Sequence, residues 1–106
     1  MSAFVFEDVL KLEDRTIQLV LKETDSKDLA LALRGASDEV KEKILANMSQ
    51  RAAETLREEM EFMPPQRRRV IEEAQTKIVA VIRRLEDAGA IFISRGEADG
   101  EDEQVV

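Results

Sequence analysis

The stretch SQRAAETLREEMEFMPPQR, Ser49 to Arg67, sets seven charged side chains in nineteen residues and closes on two adjacent prolines. Charges at such density can hold a cation, move a proton, or meet a partner of complementary pattern. The carboxylate pairs Glu58-Glu59 and Glu72-Glu73 are poorly built for the first two tasks. Neighbours on a helix diverge by about 100°, and a chain with no His and no Cys offers no third ligand, imidazole base or thiolate. No catalytic residue, metal site, cofactor or small-molecule substrate is therefore assigned, and enzyme chemistry is not expected. The arginine run Arg67, Arg68, Arg69 can be read as a phosphate contact or as a helix surface pairing with Glu72 and Glu73. A formal net charge of −7 with both signs interspersed argues against nucleic acid, which needs a basic field. What remains for the charged stretch is a solvated face or a surface that recognises another protein.

The elements that must carry these charges are helices. Aromatic residues make up 4% of the 106-residue chain, and its apolar content is mostly aliphatic side chains and Met, which favours an all-α core. Punctuation divides the chain into six helical segments. A short first one, FEDVLKL, precedes RTIQLVLKET, for which Asp14 is the expected N-cap and Ile17, Val20 and Leu21 the inward face. A third, capped by Asp25 or Ser26, ends at Gly35, expected in the left-handed position that closes many helices. Its LALAL centre predicts the most buried helix. The fourth starts at Ser37, with Asp38 and Glu39 favouring the helix dipole and Val40, Ile44, Leu45 and Met48 turned inward.

The fifth segment is the charged one, beginning after Ser49 and ending at Pro64-Pro65. Helical spacing turns Ala53, Leu56, Met60 and Met63 inward and leaves Arg51, Glu58, Glu59 and Phe62 outward or at the flank. As a solvated face, it would carry modest pairs such as Glu54 with Arg57. The prolines can also hold the guanidinium of Arg67 near the end of this helix. The sixth segment is expected from Gln66 to Ala88, opened by Pro65 and terminated by Gly89. Then AIFISRG reads as a short extended segment or a last docked turn, with Ile91 and Ile93 alternating with Phe92 and Ser94. Beyond Gly96, residues 97–106 hold five of the negative charges and are expected to be a disordered acidic tail.

No apolar run approaches the roughly 20 residues of a membrane span, and MSAFVFEDVL lacks the pattern of a signal peptide, so a cytoplasmic location is expected. Phe4, Val5 and Phe6 precede the first helix and read as core, as a hydrophobic staple, or as a hinge and docking element toward a preceding domain.

Taken together, FVFEDVLKLEDRTIQLVL, DLALALRGAS, EKILANMSQRAAETLREEMEFM and RRLEDAGAIFISRG strongly resemble the C-terminal helical subdomain of the flagellar motor switch protein FliG, over roughly residues 4 to 96. The resemblance implies an all-α, compact six-helix domain of that type, within residues 1–96, with 1–6 the remnant of a hinge motif. It implies a rotor and switch component of the flagellar basal body, at the cytoplasmic face of the inner membrane. The charged helix would engage the cytoplasmic loop of the stator protein MotA to generate torque, and the domain's orientation would switch rotation direction. Carried onto this sequence, the stator-contacting charges are Arg34, Arg51, Glu58, Glu59 and Arg67. FliM and neighbouring FliG subunits or domains are the further partners implied, with the rest of a longer protein supplying the attachment to the membrane ring. The family's Met-Phe-x-Phe hinge reads here as AFVF, and its usual Gly-Pro as Pro64-Pro65, which stiffens the elbow before Arg67. The alternative is a generic helical adaptor that docks through apolar surfaces such as Phe4, Phe6 or Phe62, its charged helix inert.

Overall fold

Phe6, Val9 and Leu12 recur every third residue, and the chain winds there as a 3-10 helix, Phe6–Lys11, whose three-residue turn brings all three into the core. The backbone N–H of Val5 donates to Asp8 Oδ2 at 2.9 Å and closes its first turn. The computed structural model describes residues 4–92, so Ile93, Ser94, the tail 97–106 and the first three residues lie outside the described residues. Five α-helices follow: α1 Asp14–Lys22, α2 Ser26–Arg34, α3 Asp38–Ala46, α4 Gln50–Phe62 and α5 Arg68–Asp87. The expected fifth and sixth segments are thus α4 and α5. Among the described residues, no helix is long and apolar enough to cross a membrane.

α2 is the centre of the packing. Leu29, Ala30, Ala32 and Leu33 are buried, as the LALAL pattern implied, and the helix lies chiefly against α5 and next against α4. α5 answers with Ala74, Ile78 and Ile82, four apart on one stripe. Each fully buried Leu or Ile in this layer contributes about 1.5–3 kcal/mol by leaving water. α1 turns Ile17 and Val20 inward and α3 turns Val40, Ile44 and Leu45 inward, while Leu21 and Met48 pack at the edge of the core.

Three boundaries differ from expectation. Glu13, rather than Asp14, takes the N-cap position of α1; Asp14 is the first helical residue, and its carboxylate accepts a hydrogen bond from Asn47 Nδ2 at 3.2 Å instead of capping. Pro65 does not open α5. Residues 63–67 are non-helical, the side chain of Gln66 turns back onto the Pro64 carbonyl at 3.0 Å, and the helix begins only at Arg68. Gly35 is not left-handed either, with φ −103°.

The reason for glycine at 35 is close approach. A Cβ there would lie 2.6 Å from Ile71 Cγ2 and 3.2 Å from Gln75 Nε2, so the end of α2 meets α5 only because no side chain intervenes. The left-handed glycine is Gly89, φ +77°, which ends α5 as expected; Ala90 N–H reaches back to the Leu85 carbonyl at 2.9 Å and Gly89 N–H to that of Glu86 at 3.0 Å. Ile91 then turns into the core and Phe92 outward, the described part of the alternation read in AIFIS.

Gly35→Ala is expected to lower stability by about 1–3 kcal/mol through overpacking against α5. Gly89→Ala, with open space around its Cβ, should lose about 1–2 kcal/mol from backbone strain alone. Urea titrations of the two variants check both values.

Candidate functional site

α4 is built for display. Its N-terminus is capped by Ser49, whose Oγ accepts from the Ala52 N–H at 3.1 Å. Ala53 and Leu56 are buried and Met60 and Met63 half-buried, which fixes the helix by one stripe. Arg51, Glu54, Thr55, Arg57, Glu58, Glu59, Glu61 and Phe62 are exposed, Phe62 to 79%.

Among the described residues, no ion pair neutralises a charge on this face. The pairs of Lys11 with Asp8, Lys41 with Asp38, Lys77 with Asp28 and Arg84 with Glu23 all lie on other elements. The pairing of Glu54 with Arg57 is not formed, nor is that of Arg67 to Arg69 with Glu72 and Glu73. Glu58, Glu59 and Glu61 stand near the C-terminal end of α4, where the helix dipole disfavours negative charge, and the last turn has no basic residue.

The missing positive charge comes from another helix. Arg34, the last residue of α2, donates from Nη1 to the carbonyl of Met60 at 3.0 Å and to that of Met63 at 3.1 Å. Helical bonding would join the Met60 carbonyl to the N–H of residue 64, and Pro64 has none. Pro64 also holds its predecessor out of the α region, and Met63 is extended at φ −70°, ψ 131°. The helix therefore ends with orphaned carbonyls, and a half-buried guanidinium meets them.

Of the other residues singled out from sequence, Arg51, Glu58 and Glu59 share α4, and Arg67 stands exposed across the elbow as N-cap of α5. The guanidinium at the end of the charged helix is that of Arg34, rather than Arg67, for which no side-chain hydrogen bond or ion pair is formed among the described residues. Phe4 and Phe6 are buried in the core, and Val5 between them is 55% exposed. Sequence reasoning missed the anchoring by Arg34. The signal for an unfilled acceptor was present, since Pro64 follows Met60 by four, but nothing in the sequence named the donor.

A family model described as the FliG C-terminal domain matches residues 1–93. The flagellar motor switch protein FliG of Thermotoga maritima is 66% identical over 93 residues, covering 88% of this chain and 28% of that protein. That of Bacillus subtilis is 53% identical over 96 residues, covering 91% of this chain and 28% of that protein. The chain thus spans little more than a quarter of the length of these relatives. In structure, it resembles a FliG fragment from H. pylori, with TM-score 0.82, 39% identity and coverage of 88% of this chain and 40% of that one. Full-length FliG from Aquifex aeolicus gives 0.80 at 45% identity, covering 84% and 28%.

Because its outward charges have no partner within the described residues, α4 should tolerate their loss. Arg51→Gln and Glu58→Gln are each expected to change unfolding free energy by less than about 0.5 kcal/mol. Ser49→Ala, which removes the cap, should cost about 1 kcal/mol. Chemical denaturation of the three variants in parallel is the check.

Proposed function

The chain belongs to the FliG C-terminal domain family, and from that premise we propose that it is the rotor module of a flagellar motor that meets the stator through the outward face of α4. The observation that carries this reading is the row of exposed charges on α4, Arg51, Glu58 and Glu59 among them, without an ion pair among the described residues. A mixed-sign row is matched by a partner with the opposite pattern, which gives register and selectivity more than raw affinity. The partner on this reading is the cytoplasmic loop of MotA, and passage of successive loops along α4 would turn ion flow into rotation.

Arg67 lies beyond the elbow and would extend the contact toward α5. Orientation of the domain would set the direction of rotation, with Phe4, Val5 and Phe6 forming the hinge toward a preceding domain of a longer protein. FliM and neighbouring FliG domains would hold that protein in the ring at the cytoplasmic face of the inner membrane. A generic adaptor docking through apolar surface would have to use Phe62 and Phe92, since Phe4 and Phe6 are committed to the core, and it gives the exposed charges of α4 no role.

The test is charge reversal in the full-length protein. Each reversal at a surface contact exchanges about 1 kcal/mol of attraction for a similar repulsion. Arg51→Glu combined with Glu58→Lys should therefore leave flagella assembled and swimming impaired, and matching reversals in the stator loop should restore it. Normal swimming of the double variant in a strain with a weakened stator would rule the reading out.

A further inference from the structure

The family resemblance groups Arg34 with the stator-contacting charges, yet its guanidinium is occupied inside the domain. Nη1 donates to two carbonyls, those of Met60 at 3.0 Å and Met63 at 3.1 Å, and Arg34 itself is half-buried. Both acceptors belong to the end of α4. One is deprived of its helical donor by Pro64, and the other precedes Pro64 and points out of the helix because its residue is extended.

We propose that Arg34 is a positioning residue for α4: it supplies the Met60 carbonyl with the hydrogen-bond donor that Pro64 lacks, gives a second donor to the Met63 carbonyl, and so fixes the end of α4 that bears Glu58 and Glu59, without itself touching the stator. Two further features fit this role. The positive charge sits at the negative end of the α4 dipole, beside a last turn with no basic residue of its own. The base from which Arg34 reaches is rigid, because the preceding residues Ala32 and Leu33 are buried, the Ala32 carbonyl receives Gln75 Nε2 from α5 at 3.0 Å, and Gly35 abuts Ile71. A fixed base with a charge-assisted link to two carbonyls makes a strut between α2 and α4. The significance for torque rests on the reading of α4 as the stator-facing helix; the strut itself does not.

The strut is tested by hydrogen exchange on the amides of Met60, Glu61 and Phe62. Arg34→Met should speed their exchange about tenfold, the equivalent of losing one charge-assisted hydrogen bond, with α3 unaffected. Adding Pro64→Ala gives residue 64 an N–H that can reach the Met60 carbonyl, and should return most of the protection. Unchanged exchange in Arg34→Met, or a full effect that persists beside Pro64→Ala, overturns the proposal. Arg34→Gln, which shortens the reach but keeps a polar side chain, takes the place of Arg34→Met if that variant does not fold. In cells, the stator reversal that restores Arg51→Glu should fail to restore Arg34→Glu; restoration of Arg34→Glu would return this residue to the contact surface. If Arg51→Glu has no motility phenotype, the stator reading fails while the exchange measurement still decides the strut.

Discussion

The last turn of α2 is where the domain is held together, because three kinds of contact converge on four consecutive residues. Ala32 offers a carbonyl to Gln75 of α5, Leu33 fills the core, Arg34 takes the end of α4, and Gly35 lets Ile71 of α5 come close. The helix can serve this way because nearly everything around it is apolar and packed, so that its end is a fixed point. α2 packs against both helices that flank the Pro64-Pro65 elbow, and so ties them together on either side of it. Proline restricts that elbow's backbone but supplies no hydrogen bond to hold it.

Polar links elsewhere in the domain follow the seams between helices. Glu7 accepts from the backbone N–H and hydroxyl of Ser37, and Lys43 donates to the Leu10 carbonyl at 2.9 Å, so the 3-10 helix is tied to both ends of α3. Asn47 bridges α3 to Gln18 and Asp14 of α1, and Arg84 reaches from α5 to Glu23 at 3.0 Å. Each exposed link contributes little, at most about 1 kcal/mol, but together they set helix register. The outward face of α4 is outside this pattern. Its charges form no ion pair across a seam among the described residues, which is a physical basis for assigning them to a partner.

The phenylalanines make the same distinction for apolar residues. Phe4 and Phe6 flank an exposed Val5 and are absorbed by the core, so the opening segment is stitched to the domain at the start of the 3-10 helix. Phe62 projects from the last turn of α4 among its acidic residues, with its backbone held by the helix and its ring in water. Burial separates rings that are equal in composition.

Helix number, inward stripes and caps were legible in sequence wherever the cause is local. Ser37 caps as read, α4 begins just after Ser49, Ala53 and Leu56 face inward, and Gly89 takes the left-handed position, because periodicity and capping depend on residues within one or two turns. The exposure of Arg51, Glu58 and Glu59 followed from the same periodicity. The late start of α5 is a local miss, with Gln66 turned back onto the Pro64 carbonyl, but at two other positions the deciding atom came from far along the chain. Gly35 is glycine because of Ile71, and Asp14 yields its capping role because Asn47 engages its carboxylate. The end of α4 is the sharpest case: Pro64 by itself dictated that a carbonyl would lack its donor, since a missing N–H is a local fact. Only tertiary structure decided that Arg34, twenty-six residues before Met60, would fill the vacancy, because which guanidinium lies within 3.0 Å depends on how two helices pack.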